Sequence, residues 1–347
     1  MTIKFGGDEI SETNRIKTGC YSLDWALADI LGNVGYPSGK FTELYGETTV
    51  GKTSFMVSLA GILAKAQKKS ISMLDWEIQS KETLEGILDN IGYTGDFTYF
   101  YHMSKERSEE TAKRFIKHFN AESPVAMVDS LGAFEPTANL EGDLSDANMG
   151  AMARETGRFI GWIITAIRKS DNPGGLIATN HTHPRIGFMM HGNDTSGGKK
   201  KAFLAHIRID LKKAYLKAEG SANGATIDFG ESWLLSGHVD KNRCGFQKRD
   251  FQVFMIGGEG INLGMTALWD CIAWGYAEKS SSQLTGKITM DGQDFGKLGY
   301  LIEHRHSESY AFVPFINKLK AEELNTEETI ETDITGEEHR TKTKKNK

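Results

Sequence analysis

Residues Gly46-Glu47-Thr48-Thr49-Val50-Gly51-Lys52-Thr53 fit the pattern G-x-x-x-x-G-K-[ST], follow the apolar run 41–45 directly and open an amphipathic stretch. No other feature constrains the fold as tightly, because the pattern works only as a strand, a loop and a helix start in that order. Its glycines let the backbone wrap an anion, and the free amides of the first helical turn point at it. Lys52 is therefore read as the cation for terminal phosphates and Thr53 as a Mg²⁺ ligand. Gly46, Glu47, Thr48, Thr49, Val50, Gly51 and Ser54 supply the cradle around them.

From Lys40 to His181 short apolar runs alternate with longer amphipathic ones, the rhythm of repeated βα units on a mostly parallel sheet. Strands are predicted over 41–45, 70–74, 97–101, 125–128 and 176–179. Helices are predicted over 53–65, 81–90, 106–119 and 148–167, where apolar residues recur at helical spacing. The expected class is α/β, with a doubly wound sheet. After Arg208 the pattern turns strand-rich, and 264–276 with the Gly-rich 285–300 reads as a small C-terminal α/β domain, a helix and then a hairpin. The expected division is a short N-terminal segment (1–17), a core (18–262), the small domain (263–320) and a charged tail (321–347). In that tail Glu322 to Glu338 carries eight acidic residues and no basic one, and Arg340 to Lys347 carries five basic ones. Such segregation suits a solvated, disordered segment.

Val125-Ala126-Met127-Val128-Asp129 is an apolar strand ending in an acid. By itself such an Asp more often caps the following turn. Behind a P-loop, with two βα units between, Asp129 is read as a Mg²⁺ ligand. Asp75-Trp76-Glu77 closes the strand after the P-loop helix and brings Glu77 to the carboxyl edge of the sheet, where ligands of open α/β folds gather. Glu77 is the candidate for orienting or deprotonating an attacking water, against the plainer reading of a helix-start carboxylate.

The net charge of −5, from 41 basic and 46 acidic residues, provides no global positive field, so binding of a nucleic acid would need a local patch. The three cysteines, Cys20, Cys244 and Cys271, are far apart and not in C-x-x-C spacing, which argues against a disulfide framework or a zinc site and for a reducing, cytoplasmic setting. Neither a signal pattern nor an apolar stretch long enough to cross a bilayer is evident.

Beyond the P-loop, Thr18-Gly19 with Ser22-Leu23-Asp24, Val128-Asp129-Ser130-Leu131, Glu141-Gly142-Asp143 with Met149-Gly150, Gly197-Gly198, and Gly258-Glu259-Gly260-Ile261-Asn262 stand in order along the chain. Between Lys17 and Lys320 the sequence resembles the RecA family of DNA recombinases. Asn180-His181-Thr182 and Asp129-Ser130-Leu131-Gly132 are closer to the phage UvsX branch, and Met149 to Arg154 is closer to bacterial RecA.

The resemblance implies ATP as substrate with Mg²⁺, and filaments on single-stranded DNA that pair with a duplex. Loading mediators and a single-strand-binding protein are implied as partners. Glu135 to Met149 resembles the first DNA-binding loop, with Met149 and Arg154 at contacting positions. Pro184 to Gly198 resembles the second, with Arg185 and Ile186 at contacting and intercalating positions, and Gly197-Gly198 run into Lys199-Lys200-Lys201. The residues agree: a Gly-rich loop with apolar side chains and a basic run can hold a single strand, although alone it also reads as a solvated surface loop. Asn180 and His181 resemble the switch that senses the terminal phosphate; bacterial members usually have Gln where His181 stands. His181 and His183 also form an H-x-H with no third metal ligand evident. Lys241 and Arg243 resemble the paired cations that a neighbouring subunit offers to the γ-phosphate, and Phe203 an aromatic subunit contact.

Two departures stand out. A short polar segment precedes Thr18 where bacterial members begin with a helix that packs on the next subunit, so weaker or partner-assisted cohesion is expected. Leu84 stands where the family has an aromatic on adenine. The leading expectation is a strand-exchange ATPase; a mediator that binds ATP and DNA without exchanging strands, and a RecA-fold motor, stay open beside it.

Overall fold

The computed structural model describes residues 14–101, 108–133, 149–170, 172–184, 193–195, 199–214, 232–281, 286–304 and 309–322. Arg15–Ile16 (β1) and Tyr36–Pro37 (β2) pair antiparallel on either side of Tyr21–Ala26 (α1). The P-loop strand Phe41–Gly46 (β3) leads to Lys52–Gln67 (α2). The alternation continues through Ile71–Asp75 (β4), Lys81–Ile91 (α3), Phe97–Tyr101 (β5), Ser108–Glu122 (α4), Val125–Asp129 (β6), Met149–Lys169 (α5) and Leu176–Pro184 (β7). Then come Asn193–Thr195 (β8), Lys199–Leu204 (α6), Ile207–Ala214 (β9), Ser232–Asn242 (β10), Asp250–Ile256 (β11) and Gly260–Ile261 (β12).

These strands build a ten-stranded sheet in the order β12-β11-β10-β9-β3-β7-β6-β4-β5, with β8 paired to β7 alone. The run from β9 to β5 is parallel; β10, β11 and β12 extend it antiparallel. Strands buried on both faces explain the near-continuous apolar runs. Leu74, Val128, Leu176 and Ala178 face a core with Phe115 and Phe119 of α4 and Phe159, Ile160 and Ile163 of α5. Their neighbours Met73, Met127 and Ile177 are equally buried and, by the alternation of a strand, face the other side. Helix α2 packs over β6 and β7 and against α3. The sheet is thus wound on both faces, as expected of the α/β class.

Local signals explain the helix limits. Ser80 caps α3 by accepting the Thr83 amide at 3.1 Å, and Gly92 ends it at φ +67°, a left-handed turn that glycine adopts without strain. The predicted elements lie within a few residues of the observed ones. The exception is β7, predicted to stop at Thr179, which runs on through Pro184.

The chain divides into two units, residues 1–215 with 230–262, and 216–229 with 263–347. In the second, Leu263–Ala273 (α7) precedes Glu278–Lys279 (β13), Lys287–Met290 (β14) and Gln293–Lys297 (β15), an antiparallel three-stranded sheet. Leu298–Glu303 (α8) and a helix over 313–322 (α9) follow. Phe295 packs on Phe315 with ring centres 4.7 Å apart. Among the described residues no helix is long and apolar enough to cross a membrane.

Candidate active site at the P-loop

Close packing beneath the loop dictates its glycines. A Cβ on Gly46 would lie 2.2 Å from the Leu211 carbonyl oxygen, and one on Gly51, at φ +99°, would lie 2.6 Å from the Trp233 ring. Trp233 also donates its indole N–H to the Val50 carbonyl at 3.2 Å, which fixes the loop from below. Glu47, Thr48 and Thr49 are exposed, whereas Val50 is buried. Helix α2 starts at Lys52 with no side chain capping its first turn, so those amides remain directed at the loop. Lys52 arches back and donates to the carbonyls of Gly46 (3.1 Å) and Glu47 (2.6 Å). Burial lowers its pKa against the opposing pull of Asp129 and Glu77.

The carboxyl ends of β4, β6 and β7 converge beside it. Asp75 and Asp129 are register partners on β4 and β6, and His181 on β7 is level with Gly46 on β3. Asp129 accepts the Thr53 hydroxyl at 2.7 Å and, on its other oxygen, the Thr179 hydroxyl. Burial pushes Asp129 up to about 6, with Glu77 and Asp75 adding to the rise while both hydroxyls oppose it. A hydroxyl and a buried carboxylate short of counter-charge form an oxygen donor set that suits a hard cation such as Mg²⁺.

Asp75 is fully buried and does not face a ligand. It accepts the amides of Glu77 (2.8 Å), Ile78 (2.9 Å) and Gln79 (2.7 Å) and the Tyr99 hydroxyl (2.7 Å), and so shapes the turn that presents Glu77. Glu77 Oε1 lies 2.9 Å from His181 Nε2, with both side chains about one-third exposed. Burial raises the Glu77 pKa, but the Ser130 hydroxyl, the His181 ring and Lys52 outweigh it and hold the group below its ordinary value.

The fold therefore brings Lys52, Thr53, Glu77, Asp129 and His181 together. Asn180 is adjacent but turned inward: its amide nitrogen donates to Glu43 Oε1 at 2.9 Å and its oxygen accepts the His181 amide at 2.9 Å. Leu84 is a core residue of α3, 2% exposed.

Lys241 and Arg243 are elsewhere. Asn242 pairs with Ile207, which pairs with Thr42, so the two cations sit at the amino end of β3. That is roughly 13 Å along the strand from Gly46, at about 3.3 Å per residue. Lys241 Nζ donates to the carbonyls of Ala202 (2.7 Å) and Phe203 (3.0 Å) at the end of α6, and burial with Arg243 and Arg208 nearby pushes its pKa down to about 8. Arg243 covers the ring of Phe203 at 5.1 Å, and Phe203 is 69% exposed.

Of the DNA-loop candidates, Arg185, Ile186, Gly197 and Gly198 lie outside the described residues, as does most of 135–149. Met149 begins α5, Lys199 begins α6, and Arg154 is exposed on α5. Two expectations are corrected. Residues 184–198 are not loop throughout, because β8 pairs antiparallel with Thr182 to Pro184. Lys201 is no part of a solvated basic run: its side chain is 1% exposed and 3.4 Å from the buried Glu43. An acid inside an otherwise apolar strand was the signal for that partner, since a buried carboxylate needs compensation. Among the described residues no group of three or more His, Cys, Asp or Glu is arranged to hold a metal.

Comparison with known proteins agrees with this geometry. The family described as RecA N-terminal domain matches residues 1–261. The chain is 28% identical over 314 residues to Protein RecA of a Nitratiruptor species, covering 87% of this chain and 83% of that one. It is 27% identical over 316 residues to Protein RecA of Bdellovibrio bacteriovorus (87% and 76%) and 31% identical over 218 residues to Protein RecA of Clostridium acetobutylicum (61% and 58%). With three quarters of its length matched by the family and a P-loop site assembled as described, the chain belongs to the RecA family.

Proposed function

We propose that this chain is a DNA-dependent ATPase that forms filaments on single-stranded DNA and exchanges strands with homologous duplex. One observation carries the reading most directly: Glu77, held below its ordinary pKa and bonded to His181, stands beside the P-loop lysine and the Thr53–Asp129 pair. Lys52 and the first amides of α2 take the phosphates of ATP. Thr53 and Asp129 hold Mg²⁺, which when bound neutralises charge on the phosphate oxygens. Glu77, ionised at neutral pH, accepts a proton from the water that attacks the γ-phosphorus as the bond to the ADP oxygen breaks. His181 orients Glu77 and is displaced from it when the terminal phosphate arrives. Lys241 and Arg243, too far along the sheet to serve their own P-loop, act on the γ-phosphate of a neighbouring subunit, with Phe203 in the same contact.

Met149, Arg154, Arg185, Ile186, Gly197, Gly198 and Lys199 contact DNA, and mediators or a single-strand-binding protein assist loading. The test pairs ATP hydrolysis with and without single-stranded DNA with a strand-exchange assay. Stimulated hydrolysis with homology-dependent joint molecules is the expected result. Stimulation without joints points to a mediator, and unwinding without homology to a motor.

A further inference from the structure

Trp233, on β10, belongs to no part of the phosphate-binding pattern, yet both glycines of that pattern rest on the flank that carries it. Gly46 has no room for a Cβ against the Leu211 carbonyl of β9, and Gly51 has none against the Trp233 ring. Two neighbouring strands hold the indole in place. Met255 of β11, fully buried, is its register partner. Lys213 of β9 is level with Leu235, two residues along β10 and therefore on the same face, and its Nζ lies 5.0 Å from the centre of the Trp233 ring. Held in this way, the indole N–H donates to the Val50 carbonyl at 3.2 Å.

That one bond orients a peptide plane. The peptide joining Val50 to Gly51 is trans, so its C=O and N–H point in opposite directions. With the carbonyl held towards β10, Gly51 N–H is turned away from β10. Glycine admits both signs of φ, so Gly51 is where this plane would otherwise rotate most freely. Here it stands at φ +99° with the ring against it. A loop that samples several orientations binds with an affinity reduced by the fraction in the competent one, and pinning the plane removes that reduction. We propose that Trp233 is a positioning residue of the phosphate site: it holds the Val50 carbonyl so that Gly51 N–H faces the phosphates, and it thereby presets affinity for them without touching the reacting atoms. This rests on the reading of 46–53 as a phosphate loop.

The experiment measures, by calorimetry on the full chain with Mg²⁺, the Kd of a non-hydrolysable ATP analogue and of inorganic triphosphate for the parent, Trp233→Phe and Trp233→Ala. Single-turnover hydrolysis at saturating ATP and hydrogen exchange without nucleotide accompany it. Trp233→Phe keeps a ring beneath Gly51 and loses the donor. Its Kd for both probes is expected to rise about tenfold, the effect of one hydrogen bond. Its saturated rate stays within about twofold of the parent. Exchange over 46–54 quickens while 41–45 and 250–256 are unchanged. Trp233→Ala, which loses the ring as well, raises both Kd values further; if it melts early, Trp233→Phe decides alone. Kd values that do not change in Trp233→Phe, or a saturated rate that falls as far as the affinity, overturn the proposal. So does weaker binding of the nucleotide with unchanged binding of triphosphate, which puts Trp233 on the base. Faster exchange throughout the chain overturns it too, because the role is then one of stability. A parent that binds neither probe sinks the phosphate-site reading; the exchange measurement uses no nucleotide and still decides whether Trp233 orders the loop.

Discussion

At the scale of single residues, Asp75 and Glu77 stand two positions apart with different partners. Asp75 spends its carboxylate on three amides and a tyrosine hydroxyl, and Glu77, two residues on, is left facing outward. Asp75→Ala strands those buried donors, and we expect a loss on the order of 3 kcal/mol in urea unfolding. Glu77→Gln keeps the shape and removes the base. Nucleotide affinity should persist while single-turnover hydrolysis falls about 10²- to 10⁴-fold. Lys52→Ala should abolish binding of a fluorescent ATP analogue, because it removes the cation that folds back over the loop at Gly46 and Glu47. His206 accepts the Phe41 amide through Nδ1 at 3.2 Å, and burial, with Lys40 and Arg243 nearby, lowers its pKa from 6.5 to about 4. The unfolded chain therefore binds the extra proton between those values, so this contribution is full above pH 6.5 and is lost as the pH falls towards 4. Allowing for partial exposure it amounts to about 2 kcal/mol. In thermal melts at pH 7.5 and 4.5, His206→Asn should lose less stability than the parent.

Individual elements differ in how far the sequence revealed them. Strands β3, β4 and β6 were legible because burial on both faces leaves few polar interruptions, and α3 because Ser80 and Gly92 mark its ends. The extension of β7 was not legible: Asn180, Thr182 and His183 look like loop residues, yet Asn180 pairs with Tyr45 of β3, and Thr182 to Pro184 pair with β8. Lys201 was misread for the complementary reason, since three consecutive lysines share a composition but not a direction on a helical turn. Thr179 carried no signal beyond its place at a strand end, and Trp233, which supports the P-loop from β10, lies far from it in sequence. Lys241 Nζ donates to carbonyls of its own α6, so its proposed action on a neighbour calls for a mixing test. Lys52→Ala and Lys241→Ala should each be inactive alone. An equimolar mixture should recover about a quarter of the parent rate, the share of random contacts that join an intact P-loop to an intact cation.

Across the whole molecule, the order of the parallel strands places the loop of β3 beside the ends of β7, β6 and β4, and the sequence indicated that edge through its acids. The antiparallel flank of β10 to β12 was visible only as strand-rich, since its register depends on partners distant in the chain. That flank also sets a geometric asymmetry. The P-loop lies at one end of β3, with Lys241 and Arg243 level with the other. On the proposed function, a row of subunits must then contain one fewer complete catalytic centre than it has members, and its two termini are chemically unlike. One terminus exposes a P-loop awaiting cations, the other cations awaiting a P-loop. Growth and shrinkage at the two termini should therefore proceed at different rates, and turnover per subunit should climb with row length towards a plateau.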